Sequence, residues 1–282
     1  MKAVLRLLDP NAPPKNPSGF CALAVMTKAP RPGRVKTRLI PPLTPKEAAA
    51  LNACFLRDTT TAISSAIVSG KVSGRKAGGV AVYTPVGWEG AYADLLPPDF
   101  DLIPQRGGSF GERLWFAVED LFKCGFDAVC LIDSDSPTVP AATFAHAMEI
   151  LRSSREHIVL GPSDDGGYYL IGLKKPQREM FEGIDWSTER VLDQTKARAK
   201  DIGLAVKLLP MCYDVDDSTT LQRLCDELLG ENSRDDLAPE TRKFLKEIID
   251  REGPSRIWPS VTAPKAMESR KPLAAPSAVP EK

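Results

Sequence analysis

Short, nearly continuous apolar runs alternate with stretches of helical spacing from about residue 19 to residue 252, and this alternation restricts the fold more than any other feature. The spacing predicts strands at 20–26, 80–84, 102–104, 128–132, 158–160, 168–173 and 205–209. Helical patterns cover 44–69, 109–123, 140–152, 187–202, 218–229 and 239–251. The first of these helices opens on a capping box, Thr44-Pro-Lys-Glu47, with Pro45 at the first helical position. Strands that are apolar on both faces, each followed by a helix, predict an α/β fold with a mostly parallel sheet covered on both sides.

The flanks read differently. Residues 1–18 form an irregular lead-in rich in Pro and Asn, and 253–282 a Pro- and Ala-rich tail expected to be disordered, which leaves 19–252 as the folded domain. Met1 to Leu8 is too short an apolar stretch for a secretory signal, and no run of 18 apolar residues predicts a membrane span. With 37 basic and 37 acidic residues there is no global attraction to nucleic acid or to an anionic membrane. The six cysteines contain no C-x-x-C pair and sit among apolar neighbours, so free buried thiols and a reducing, cytoplasmic setting are expected. Two histidines, His146 and His157, give a histidine-rich metal site or a Ser-His-Asp triad nothing to build on.

In open α/β sheets ligands bind beyond the carboxyl ends of the strands, so polar clusters that follow a strand carry the most weight. The first strand runs into Thr27-Lys-Ala-Pro-Arg-Pro-Gly-Arg-Val-Lys-Thr-Arg38. Lys28, Arg31, Arg34, Lys36 and Arg38 lie there without an acid among them, and Pro30, Pro32 and Gly33 exclude a regular helix. Taken alone this is a solvated basic loop; at a strand end it suits phosphate groups, which arginine grips bidentately and lysine as a point charge. It is neither a G-x-x-x-x-G-K-[ST] loop nor a G-x-G-x-x-G fingerprint.

A second cluster, Gln105-Arg-Gly-Gly-Ser-Phe-Gly111-Glu-Arg113, leads from a strand into a helix. Gly107 and Gly111 open the backbone to a ligand near a helix N-terminus, with Arg113 close by and Gln105 placed to read a nucleobase edge; the alternative is a glycine turn capped by Ser109. Leu131-Ile-Asp133-Ser-Asp135 is the strongest cluster, because two carboxylates at the end of a buried strand are costly unless paired or bound to a cation. Oxygen ligands point to Mg²⁺ or Mn²⁺, with capping of the next helix as the plainer reading. In Ser163-Asp-Asp-Gly-Gly167, Asp164 or Asp165 could serve as general base beside Gly166 and Gly167, or the stretch could be a hairpin turn. Trp186 could line an acceptor pocket, with Ser187 and Thr188 as ordinary helix caps. After the last strand, Asp214 or Asp216 could complete the metal site, while Asp217 reads as a cap.

These segments, at 26–39 (MTKAPRPGRVKTRL), 105–114 (QRGGSFGERL), 131–138 (LIDSDSPT), 162–173 (PSDDGGYYLIGL), 184–188 (IDWST) and 213–217 (YDVDD), together resemble the glycosyltransferase-A-like family of selenodomain-associated transferases, type 1. The Ser-Asp-Ser at 134–136 departs from the Ser-Asp-Cys frequent among relatives. The resemblance implies a three-layer α/β/α sandwich of the nucleotide-diphospho-sugar transferase (GT-A) type. It also implies a donor at the strand ends and a D-x-D cation site on Asp133 and Asp135. Asp133, Asp135 and Asp216 are then the expected ligands of Mg²⁺ or Mn²⁺. The expected partners are a nucleotide-sugar donor, held by Lys28, Arg34, Lys36, Arg38 and the 105–113 turn, and a small-molecule acceptor near Asp164, Asp165 and Trp186.

Glycosyl transfer is the leading expectation. Nucleotidyl transfer with release of pyrophosphate is the runner-up, because Thr37-Arg38 is similar to the end of the G-x-G-T-R loop of cofactor guanylyltransferases, although the wrapping glycines are replaced here. A non-catalytic nucleotide-binding module is the third reading.

Overall fold

Alternation along each strand decides the layers. In the computed structural model, which describes residues 5–13, 19–70, 77–231 and 233–257, Cys21, Leu23 and Val25 face one side of the sheet and Ala22 and Ala24 the other, and all five are fully buried. A strand buried on both faces needs helices on both, since each covered Leu or Ile contributes about 1.5–3 kcal/mol.

The strands are β1 (Arg6–Leu7), β2 (Gly19–Lys28), β3 (Gly78–Thr84), β4 (Phe100–Pro104), β5 (Phe126–Ile132), β6 (His157–Pro162), β7 (Tyr168–Leu173) and β8 (Ala205–Leu208). They form one sheet in the order β1-β4-β3-β2-β5-β7-β6-β8. Every pairing is parallel except those of β7, which runs antiparallel to β5 and β6. Helices α1 (Pro45–Ser69) and α3 (Ala141–Arg152) cover one face, and α2 (Phe110–Lys123) and α4 (Val191–Asp201) the other. The expected three-layer α/β/α sandwich with a mostly parallel sheet is the observed fold.

The predicted capping box of α1 is formed: Thr44 Oγ1 accepts from the Glu47 amide at 3.2 Å and Glu47 Oε2 accepts from the Thr44 amide at 2.8 Å. α1 is also buried on its outer side. There α5 (Ser218–Leu229) and α6 (Pro239–Glu252) pack Leu224, Leu228, Leu245 and Ile248 against Leu51 and Phe55. Ala238, which precedes α6, has no capping side chain and adopts a left-handed φ of 42°. Asp58 of α1 caps α6 instead, accepting from the amides of Glu240 (3.0 Å) and Thr241 (2.9 Å).

Three boundaries differ from the sequence expectation. Arg6–Leu7 pairs with β4, so the sheet begins inside the stretch read as irregular; two residues are too few for periodicity to register. Ile257, assigned to the tail, is buried in the cluster beneath α6, and Arg256 pairs with Glu47 at 2.7 Å. α4 starts at Val191 rather than Ser187, because Ser187 sits at a φ of 64° and breaks the helical path; Ser187 and Thr188 therefore do not cap it. Residues 1–4 and 14–18 of the expected lead-in and 258–282 of the expected tail lie outside the described residues. None of the six cysteines is in a disulfide.

Candidate functional site

The carboxyl ends of β2, β3, β4 and β5 and the turn between β6 and β7 share one edge of the sheet, and the residues around it line two adjoining cavities of about 540 and 400 Å³. Met26, Arg38, Phe110 and Asp216 belong to both, so the two form one cleft.

The larger cavity is built on the loop that leaves β2. Lys28, Arg34, Lys36 and Arg38 line it together with Gln105 and Arg113, which brings the basic loop and the glycine-turn cluster together as expected. Among the described residues Lys28, Arg34 and Arg113 have no carboxylate partner. Gln105 donates from its amide nitrogen to Thr27 O (3.2 Å) and Val82 O (2.8 Å), which leaves its Oε1 to meet a ligand.

Lys36 departs from the expected role. Its ammonium is buried, 2.8 Å from Asp135 Oδ1, 3.0 Å from Asp216 Oδ1 and 2.8 Å from the Val215 carbonyl, so its three protons all have acceptors. Burial alone would lower its pKa, but the two carboxylates overcome that and hold it above the ordinary lysine value. The backbone of Lys36 is left-handed, with φ 47° and ψ 40°, a strain of about 1–2 kcal/mol that these contacts offset. Arg38 reaches the other oxygen of Asp216 at 3.3 Å. Lys36 thus brings the basic loop into direct contact with Asp135 of the D-x-D pair.

The D-x-D pair is divided. Asp135 lines the basic cavity, whereas Asp133 lines the smaller one. Asp133 accepts from Ser136 Oγ at 2.8 Å, and burial, then the charge of Asp135, pushes its carboxyl well above the usual range. Asp214 lines the same cavity, accepts from Ser163 Oγ at 3.3 Å, and is pushed up to about 6 by burial and by the charges of Asp165 and Asp216. The expected trio Asp133, Asp135 and Asp216 therefore does not converge on one point. Asp135 and Asp216 share the lysine, and Asp133 lines the smaller cavity with Asp214 and Asp216. Among the described residues no group of three or more His, Cys, Asp and Glu side chains is arranged to hold a metal ion.

The β6–β7 connection is a hairpin turn, and it separates two neighbours. Asp165 lines the smaller cavity and accepts from the Gly167 amide at 2.9 Å. Asp164 turns away from the cleft, where Arg223 of α5, stacked 3.8 Å from the Tyr213 ring, donates to it. A base role for Asp164 is thereby corrected to an ion pair on the far side of the turn. No spacing rule links residues 164 and 223, so the sequence carried no sign of it.

The remaining wall is aromatic. Trp186 meets Phe110 edge-on at 5.2 Å and Tyr168 at 6.4 Å. Ser187, Thr188 and Gly167 line the cavity beside it. Two of the expected ligand-facing glycines serve protein contacts: a Cβ on Gly111 would lie 2.6 Å from Trp186 Nε1, and one on Gly166 would lie 2.2 Å from the Glu189 carbonyl oxygen. Gly107 has a φ of 106°, and Ser109 caps α2 in a box with Glu112, so the turn-and-cap alternative for this segment is realised. Asp217 caps α5 as expected, accepting from the Thr220 amide at 2.8 Å. Sequence reasoning missed Asn52, a buried polar residue of α1 that lines the basic cavity, and Glu189 in the acidic one. Asn52 interrupts an apolar helical face, a signal that could have marked it.

The comparisons with known proteins bear on the family and the fold. Residues 70–188 match the family described as uncharacterized protein conserved in bacteria (DUF2064). No curated protein matches the sequence. A structure from Desulfovibrio desulfuricans G20, provisionally named a nucleotide-diphospho-sugar transferase, is 28% identical with a TM-score of 0.72, covering 85% of this chain and 97% of that one. Weaker likeness is found to CMP:2-keto-3-deoxy-manno-octonic acid synthetase complexed with CTP (11% identity, TM-score 0.46, 75% and 99% covered). It is also found to glucosyl-3-phosphoglycerate synthase from Mycobacterium tuberculosis in complex with Mn²⁺, UDP and glucosyl-3-phosphoglycerate (10% identity, TM-score 0.43, 83% and 80% covered). Likeness of that size says nothing of this chain's chemistry. The fold is that of the nucleotide-diphospho-sugar transferases, and the family match and the Desulfovibrio structure fit the selenodomain-associated transferase resemblance. Among the described residues no helix is long and apolar enough to cross a membrane.

Proposed function

We propose that this protein is a glycosyltransferase that takes a nucleotide-diphosphate sugar in the basic cavity and a small-molecule acceptor in the acidic one. The observation that carries this reading is the junction of two cavities of opposite charge at the carboxyl edge of the sheet, with Arg38, Phe110 and Asp216 common to both. Lys28, Arg34 and Arg113 would hold the diphosphate, Arg38 would sit at the bond to be broken, and Gln105 Oε1 would meet the base.

Asp165 is the base in this reading. The acceptor hydroxyl gives its proton to Asp165 as its oxygen bonds to the anomeric carbon. The bond from that carbon to the phosphate oxygen breaks, and the nucleoside diphosphate leaves with the electron pair. Trp186, with Ser187 and Thr188 beside it, would orient the acceptor.

A divalent ion belongs to the proposal. Asp133 and Asp214 line the smaller cavity, and their oxygens would hold Mg²⁺ or Mn²⁺, the hard cations that carboxylates suit. Asp135 and Asp216 would contribute through Lys36, which fixes their positions. Bound there, the ion would neutralise charge on the departing diphosphate. The unlinked cysteines support a reducing compartment such as the cytoplasm.

Calorimetric titration of nucleotide sugars and nucleoside triphosphates with Mn²⁺, followed by product mass spectrometry, tests the assignment. Release of a nucleoside diphosphate is expected. Release of pyrophosphate would make the protein a nucleotidyltransferase instead, and binding that is indifferent to Arg34→Ala would remove the phosphate assignment.

A further inference from the structure

The acidic cavity has a composition that selects among acceptors. Asp165 and Glu189 line it, and among the described residues neither is in a salt bridge. Asp165 and Glu189 are exposed. Arg38 is the guanidinium that lines this cavity, and it is already drawn to Asp216 at 3.3 Å. The Phe110–Trp186 pair lines the same cavity, with Phe110 46% exposed although it is a large apolar ring, and with the Arg113 guanidinium 5.7 Å from the centre of that ring. Unpaired carboxylates in a cavity that Trp186 also lines attract a cation, by charge and by the quadrupole of the indole ring, and repel an anion.

Building on the transferase reading, we propose that the acceptor is a cationic compound, an amine that carries a hydroxyl and an apolar or aromatic body. Phosphorylated and carboxylated acceptors are excluded from this cavity. The charge of the donor stays on the other side of Arg38 and Asp216, where the basic loop receives it.

Three probes of nearly equal shape isolate charge: tyramine (cationic), tyrosol (neutral) and 4-hydroxyphenylacetate (anionic). Each is titrated into the full-length protein without added divalent ion and followed by ligand-observed NMR. Tyramine should bind tightest and the acid weakest, with about tenfold or more between them. In the Asp165→Asn/Glu189→Gln double variant that spread should fall to about threefold or less, chiefly through tighter binding of the acid. The inference is overturned if the acid binds as tightly as the amine, if none of the three binds at millimolar concentration, or if the double variant keeps the wild-type order and spread. A nucleoside diphosphate titrated in parallel reads the donor side separately. Its loss would remove the transferase reading, while the probe order would still decide the charge class of the cavity.

Discussion

The ammonium of Lys36 lies 2.8 Å from a carboxylate oxygen of Asp135, across 99 residues of sequence, and this contact joins the loop after β2 to the end of β5. The same ammonium holds Asp216, so removing it leaves two carboxylates facing each other without a counter-charge. Deleting one partner of a fully buried pair typically costs 3–5 kcal/mol; Asp135 and Asp216 are about one-third exposed, so Lys36→Met should destabilise the protein by about 2 kcal/mol. The folded pKa of Lys36 is raised, so its stabilising contribution is complete below the unfolded value and is lost as pH climbs through the folded one. The gap in urea midpoint between wild type and variant should therefore stay constant through neutral pH and narrow only above about pH 10.

Asp214 predicts a pH dependence of the same sense in a lower pH window. Its folded pKa of about 6 exceeds the unfolded value, so the folded state binds the proton more tightly and stability falls as pH rises from about 4 to 6. Solvent reaches this side chain, which reduces the ideal linkage to about 1–2 kcal/mol. Asp214→Asn should remove that slope and leave the protein more stable than wild type at pH 7, read as a higher Tm.

Asp58 caps a helix that does not contain it. Asp58→Ala would strip the acceptors from the amides of Glu240 and Thr241 and should cost about 1–2 kcal/mol. Hydrogen exchange should locate the effect, with faster exchange at the start of α6 and little change in the sheet. Uniform acceleration across the protein would contradict the local role.

Gly111 sets the position of Trp186. Gly111→Ala gains about 1 kcal/mol of helix propensity and loses about 1–3 kcal/mol to overpacking, because its Cβ would stand 2.6 Å from Trp186 Nε1. The variant should fold with slightly reduced stability and an altered tryptophan emission. Its KM for the acceptor should rise more than its KM for the donor.

The fold was legible because its strands are buried on both faces and its helices carry period-3.6 stripes and caps, all local properties; the Thr44–Glu47 box, the Ser109 turn and the Asp217 cap each appeared where the residues required. The site was legible as a set of clusters and only partly as a geometry. Lys28, Arg34, Gln105 and Arg113 gather in one cavity because all follow parallel strands that end on the same edge. What stayed hidden were pairings between distant positions. Lys36 looked like a phosphate ligand until Asp135 and Asp216 were brought to it, and Asp164 and Asp165 were equivalent until Arg223 claimed one of them. The β7 reversal, which turns the Asp-Asp-Gly-Gly stretch into a hairpin, likewise depends on which strands pair and not on any local preference.

Because Lys36 is anchored to Val215 and Asp216, 179 and 180 residues downstream, the loop after β2 has none of these supports while the chain is still short. On the ribosome, the first strand and its cations emerge early, but the cleft acquires its shape only after the segment beyond β8 has cleared the exit tunnel. The cleft thus takes its shape only once the segment after β8 has been made.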